Sequence, residues 1–345
     1  MTTPRIFPLS DHYDGVRFHN PGIPARSGSP WRVLRRRMRG TRTPWPERVE
    51  NRGFAPPPRH VEPGMVGVTF IGQATFLLRL GGLTVLTDPI FSDRCSPLSW
   101  AGPKRSRPPG LAFDELPPID VVLVSHNHYD HMDLPTLRRL WRRDAPLVIT
   151  TLGNRRRLVQ AGLQRVVELD WWQATWAGNL EVTATQARHF SARTLFDRNR
   201  ALWGGFMLRT DEGRVFFAGD SGAGAHWAAI RDRLGRSDLA LLPIGAYEPR
   251  SIMAAVHMDP AEAVQAHIAL GARRSIGMHF GTFQLTDEAI DAPLRALDEA
   301  TRRAGVREAF DTLDFGETRE CALDLAIPSG TGITVQTAQA ERQSP

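Results

Sequence analysis

Cysteine is almost absent from this 345-residue chain. Cys95 and Cys321 stand far apart and form neither a disulfide framework nor a C-x-x-C pair. Nothing in that usage calls for an oxidising compartment, and a cytoplasmic setting is the expectation. No stretch approaches the ~20 consecutive apolar residues that a bilayer-spanning helix needs. Met1 to Asp11 lack the apolar core and cleavage pattern of a secretory signal. The chain is basic, with a net charge of +6. It carries no RNA- or DNA-binding fingerprint beside that charge, so no nucleic-acid partner is expected. What the length does allow is a large buried core, as one enlarged domain or two.

The positive charge comes mainly from arginine and is clustered: Arg32, Arg35, Arg36, Arg37, Arg39, Arg42 and Arg48, then Arg138, Arg139, Arg142, Arg143 and Arg155 to Arg157. Such clusters suit peripheral attachment to an anionic membrane surface, and they equally suit a solvated face. Residues 1–64 read as a Pro/Arg/Gly-rich leader, punctuated by Pro56-Pro57-Pro58 and Pro63-Gly64 and expected to lie extended on the surface. Within it Trp31, Leu34 and Met38 share one helical face, fit for a membrane surface or for the body of the protein.

Regular structure is expected over residues 65–320, with a polar tail over 321–345. Val66–Ile71, Thr75–Leu80 and Leu83–Thr87 read as strands, with Gly81-Gly82 turning the hairpin. Strands and helices then alternate, and the second half repeats the scheme: strands near 180–187, 204–209, 214–218, 239–244 and 275–278, and a last helix over 287–304. Two mixed sheets face to face with helices outside both satisfy that order.

The chemistry concentrates in Ser125-His126-Asn127-His128-Tyr129-Asp130-His131, directly after the apolar strand Val121–Val124 and before a helix signalled by Asp133 and Pro135. Four metal-binding side chains on a strand-to-helix loop can point in enough directions to serve two ions. His189, Asp220 and His279 each lie just past a predicted strand, so the same sheet rim is expected to gather them. The assignment is His126, His128 and His189 to one metal, and Asp130, His131 and His279 to the other, with Asp220 bridging. Imidazole and carboxylate donors without cysteine suit two Zn2+, with Mn2+ or Fe2+ also allowed. The expected nucleophile is a hydroxide shared between the two metals, with Asp130 and Asp220 as the catalytic carboxylates, since a metal lowers the pKa of water from about 15.7 to about 7.

This motif with its three downstream ligands resembles the metallo-β-lactamase superfamily. Asp88-Pro89-Ile90-Phe91, Gly102-Pro103-Lys104-Arg105, Glu168-Leu169-Asp170-Trp171-Trp172, Arg193-Thr194-Leu195, Gly245-Ala246-Tyr247-Glu248-Pro249-Arg250 and Gly281-Thr282-Phe283 resemble its N-acylphosphatidylethanolamine-hydrolysing phospholipase D branch. The resemblance runs from about Phe18 to Arg319. It implies an α/β (α+β) fold, the four-layer αββα metallo-β-lactamase sandwich, two zinc ions on the seven ligands, and phosphodiester hydrolysis of a phospholipid. It also implies that Asp88 orients a ligand histidine from behind and that His257 lines the substrate pocket. Arg250 is a further candidate, as a rim cation for the phosphate. Phe190 and Phe280 replace tryptophans of the animal enzymes and Ser221 replaces a threonine, changes that bear on the lipid-facing pocket and not on the metals. The alternatives are a metal-dependent lactonase of the same superfamily and a non-catalytic membrane-binding protein. Homodimerisation is left open.

Overall fold

The computed structural model describes residues 7–22 and 42–324. Met65–Gly72 (β1), Thr75–Leu80 (β2) and Leu83–Thr87 (β3) form an antiparallel meander. Val121–Val124 (β4), Leu147–Thr151 (β5) and Val166–Leu169 (β6) continue the sheet in parallel. Leu134–Asp144 (α1) and Arg155–Gln160 (α2) make the crossovers. The second sheet begins with Ala174–Ala177 (β7), Leu180–Thr185 (β8), Gly205–Thr210 (β9) and Gly213–Phe217 (β10), all antiparallel. His226–Leu234 (α3) leads to Leu239–Pro243 (β11), which lies parallel to β10. Arg250–Met253 (α4) and Pro260–Leu270 (α5) precede Arg274–Met278 (β12). Ala292–Ala304 (α6) precedes Phe310–Asp311 (β13), and Thr318–Ala322 (β14) returns to pair with β1.

The strand orders are β14-β1-β2-β3-β4-β5-β6 and β13-β12-β11-β10-β9-β8-β7. Alternation within strands decides the layers. In β2, Phe76, Leu78 and Leu80 enter the core between the sheets, whereas Leu77 faces outward onto the cluster holding Leu137 and Leu140 of α1 and Leu158 of α2. β4 does the same with four consecutive apolar residues: Val121 and Leu123 point inward, Val122 and Val124 outward. Strands covered on both faces read as unbroken apolar runs for this reason. Each such side chain contributes roughly 1.5–3 kcal/mol by leaving water. Helix α5, opened by the Asp259 capping box, packs with α3 and α6 outside the second sheet. The result is a four-layer αββα sandwich.

Three sequence expectations change. The last helix starts at Ala292, five residues later than expected. Pro293 lacks an N–H and belongs in a first turn. The preceding stretch instead ties down a loop, with Asp287 donating to the Glu248 carbonyl and Glu288 accepting from the Tyr247 and Glu248 N–H groups. The polar tail begins later, because β14 runs through Ala322 and buries Cys321. Three short elements, β7, α4 and β13, are absent from the sequence reading because two to four residues carry too little periodicity. The candidate helix with Trp31, Leu34 and Met38 falls outside the described residues.

The described part of the leader packs on the sandwich. Tyr13 and Phe18 are buried with Trp171, Leu202 and Trp203. His12 stacks on Trp171 at 4.3 Å and bonds Asp170 at 2.7 Å.

Candidate metal centre

The loop after β4 is tied from behind before it reaches its first histidine. Ser125 donates its backbone N–H (2.7 Å) and its hydroxyl (2.5 Å) to Asp88, the residue that follows β3. At the far end of the loop Asp133 starts α1, and its carboxylate accepts from the Ser92 N–H and hydroxyl and from the Thr136 hydroxyl. Arg193, from the second sheet's side, donates to the carbonyls of Asn127 (2.9 Å) and Met132 (2.8 Å) and lies over the Tyr129 ring. Three braces thus hold a seven-residue loop that has no regular structure of its own. His279 sits just past β12 at φ +65°, a rarely used backbone conformation for a residue with a side chain. Gly245 makes the close approach beside it: a Cβ there would lie 2.0 Å from the His279 carbonyl oxygen.

All seven predicted ligands meet in two adjoining groups. His126, His128 and His189 form one; Asp130, His131, Asp220 and His279 form the other, and within each the donor atoms lie within 4.8 Å of one another. In the first, His128 Nδ1 is 2.8 Å from His126 Nε2 and 3.2 Å from His189 Nε2. In the second, His131 Nε2 and His279 Nε2 are 3.2 Å apart and stand 3.1 and 3.2 Å from Asp220 Oδ2. The same Oδ2 lies 3.7 Å from His189 Nε2, so Asp220 touches both groups.

The backs of the imidazoles settle which nitrogen faces inward. His131 Nδ1 donates to Asp88 (2.6 Å), His126 Nδ1 to Ser125 Oγ (2.9 Å) and His189 Nδ1 to the Val256 carbonyl (3.0 Å). A neutral ring carries one N–H, so His126 and His189 each present a bare Nε2 lone pair to the cluster, and His131 does so once it gives up its second proton. The Nε2 atoms of His126 and His189 both converge on His128 Nδ1, which has at most one hydrogen to offer. Asp220 Oδ1 is buried without any hydrogen-bond partner among the described residues. Lone pairs outnumber protons here, as a cation site requires, and the residues present fit a metal.

Charge divides the two groups. Burial and the neighbouring histidines push His126 far below its ordinary value; His128 falls to about 3 and His189 to about 4, in each case chiefly by burial. Burial acts the same way on His131 and His279, but the charges of Asp220 and Asp130 outweigh it. His131 is raised well above the usual range and His279 is raised to about 9. Burial works against ionised Asp130 and Asp220 too, yet the adjacent imidazoliums hold both far below the usual carboxylate range. Without a metal, protons on His131 and His279 balance the two acids.

Of the other predicted site residues, Asp88 is fully buried behind His131. His257 is buried beside the centre, its Nε2 4.0 Å from Asp220 Oδ2 and its Nδ1 unpartnered. Arg250 does not reach the ligands: its guanidinium donates to the His257 carbonyl (3.0 Å) and to Glu262. It braces the loop that carries His257 and is not a free phosphate clamp. Gln73 went unread in the sequence, yet its side-chain amide donates to Asp130 (2.9 Å) and stands 2.9 Å from His279 Nε2. A polar residue in the tight β1–β2 connection was the available signal. Asn20 of the leader was missed as well; it donates to the His189 carbonyl at 2.9 Å.

Residues 84–280 match the Beta-lactamase superfamily domain. The chain belongs to the metallo-β-lactamase superfamily. Within it, N-acyl-phosphatidylethanolamine-hydrolyzing phospholipase D 1 of Caenorhabditis elegans is 36% identical over 277 residues, 76% of this chain and 78% of the relative. The mitochondrial N-acyl-phosphatidylethanolamine-hydrolyzing phospholipase D of Saccharomyces cerevisiae is 35% identical over 261 residues, 73% of this chain and 55% of the relative. Among solved structures, Igni18, a metallo hydrolase from Ignicoccus hospitalis, superposes with a TM-score of 0.59 over 75% of this chain and 100% of its own, at 23% identity. That last likeness shows the fold. The sequence relatives place the chain in the superfamily's phospholipase D-like branch, as a metal-dependent hydrolase.

Proposed function

We propose that this enzyme is a dinuclear phosphodiesterase that cleaves N-acylphosphatidylethanolamine-like phospholipids on the phospholipase D side. Water adds to phosphorus, the bond from phosphorus to the N-acylethanolamine oxygen breaks, and the water's protons end on that oxygen and in solvent. The products are phosphatidic acid and an N-acylethanolamine. The observation that carries the reading is the pair of donor groups joined at Asp220, with Asp220 Oδ2 near both and Oδ1 unpartnered. Zinc suits five imidazoles and two carboxylates best. His126, His128 and His189 would hold one ion, Asp130, His131 and His279 the other, and Asp220 both. Bound divalent ions supply Lewis acidity and acidify water at neutral pH.

The chain's own residues do the rest. Asp88, Ser125 and the Val256 carbonyl fix three imidazole tautomers, so the donors do not reorganise during turnover. His257, neutral and with an unpartnered Nδ1, is available to hydrogen-bond a substrate oxygen beside Asp220. Two loops support docking at a lipid surface. Leu195 (93% exposed), Phe196 (82%) and Trp100 (75%) are the most exposed large apolar side chains among the described residues. The loop of Leu195 is fastened to the metal-bearing loop through Arg193, and that of Trp100 packs through Cys95 in the cluster that includes Tyr129. Exposed apolar side chains on loops anchored in this way suit contact with lipid. No helix among the described residues is long and apolar enough to cross a membrane.

The test is metal analysis of the purified protein with an assay on N-acylphosphatidylethanolamine vesicles, a soluble phosphodiester and a panel of lactones. Two ions per chain with phosphodiester cleavage is the expected result. Lactone turnover without phosphodiester cleavage would replace the proposal. Leu195→Ser with Phe196→Ser should depress vesicle turnover and spare the soluble substrate; equal loss on both would remove the docking role.

A further inference from the structure

Arg79 on β2 is a cation without a counter-charge among the described residues. Its residue is 8% exposed, and Nε and Nη1 are buried with no hydrogen-bond partner among the described residues. No carboxylate among the described residues pairs with it, and burial alone acts on its pKa, pushing it down. Burying two nitrogens of an ionised guanidinium without partners is costly, and native proteins seldom leave them so. Arg105, buried to a similar degree, differs in kind. Arg105 gives its N–H groups to the carbonyls of Ser92, Arg107 and Ile90.

Arg79 lines a cavity of about 330 Å³, within the range of small-molecule sites. Arg59 and His60 border it from the leader, Asn179 from the β7–β8 turn, and Glu62 and Glu212 also line it. Neither acid reaches Arg79. The wall exists because Gly67 lets the leader approach β1: a Cβ at Gly67 would lie 2.8 Å from the Val61 side chain. The cavity is far from the metals. Glu212 immediately precedes β10 and Asp220 follows it, so at ~3.3 Å per residue roughly 17 Å of strand lies between the two sites.

We propose that this cavity is a second binding site, for a small oxyanion of the phosphate or carboxylate class, with Arg79 as its principal ligand and Arg59 at its lip. A guanidinium fork matches two oxygens of either group. Such an anion supplies the missing counter-charge, and it stabilises the fold by binding only the folded state.

The experiment uses metal-loaded full-length protein and three probes: inorganic phosphate, acetate, and vesicles containing phosphatidic acid. Binding is followed by isothermal titration and by melting temperature. Wild type should bind at least one probe saturably and melt higher with it. A response to vesicles alone makes the anion a headgroup; a response to free phosphate or acetate makes it a solute. Arg79→Met should abolish that event, raise the melting temperature without ligand, and leave hydrolase turnover within about twofold of wild type. His128→Ala, which disturbs the metal centre, should leave the event in place. No saturable binding to wild type, binding unchanged by Arg79→Met, or an event lost only in His128→Ala would each overturn the proposal. Should Arg79→Met not fold, Arg59→Gln carries the test: affinity falls several-fold if the site is real and stays put if it is not.

Discussion

The two halves of the metal centre solve one problem by different means. The His126, His128 and His189 group is built of neutral imidazoles, kept so by burial and by the neighbouring histidines. The Asp130, His131, Asp220 and His279 group is ionic, with protons on two histidines against two acids. A cation entering the first half meets ready lone pairs. One entering the second must displace protons, so its affinity should fall more steeply as pH drops. Residue types that look interchangeable in the sequence are thus set apart by where the carboxylates lie.

Asp220→Asn breaks the comparison at the residue common to both halves. Turnover should fall by more than about 100-fold, beyond the range typical of residues that only orient a ligand, and bound metal should drop below two per chain. Retained activity with full metal would remove Asp220 from the centre. Next in size, His189→Ala and His279→Ala should each lower metal content by about one ion per chain, as one ligand of each half is deleted. Competition by protons, read as metal affinity between pH 6 and 8, should then be weaker for the half left behind in His279→Ala than for the half left behind in His189→Ala. Identical profiles would erase the distinction. Asp88→Asn acts from behind: it weakens the hold on His131 and Ser125, and metal affinity should fall about 10- to 100-fold with the fold intact.

The smallest effect is on stability. In chelated protein His128 and His189 have folded values of about 3 and 4, below the ordinary 6.5. The unfolded chain therefore binds more protons over that interval, and stability should climb as pH rises toward about 6.5. His279, raised to about 9, works in the opposite sense. Its stabilisation is complete below about 6.5 and is lost as pH rises through about 9. Melting temperature against pH should accordingly peak near neutrality in the chelated protein. With metal bound, the decline on the alkaline side should shrink, because the metal takes the place of that proton. An alkaline decline of equal size in both forms would contradict this.

Much of this arrangement can be read from residue order. Val121–Val124 followed by His126-x-His128-x-Asp130-His131 announces a buried strand and a ligand loop, and His189, Asp220 and His279 follow strands that the periodicity reveals. Such signals are local: a covered strand must be apolar, and ligands must be polar where the strand stops. The start of α6 was legible too, had Pro293 been weighted as a first-turn residue.

Other features had no local signal. Gln73 lies 206 residues from His279 in the chain, Asn20 169 from His189, and nothing near either forecasts the contact. Arg250 shows the reverse case, since an arginine beside a candidate loop reads as a phosphate ligand until Glu262 and the His257 carbonyl are seen to occupy it. Nothing local marks Arg79 in β2 as buried, and it lies beside Gly67, over which the leader packs. The sequence by itself determined the sandwich and the ligand set, because periodicity and donor chemistry are properties of neighbours along the chain. Which imidazoles stay neutral, which cation faces a cavity and which helper holds which ligand were decided by the tertiary structure alone, because burial and charge proximity depend on segments far apart in sequence.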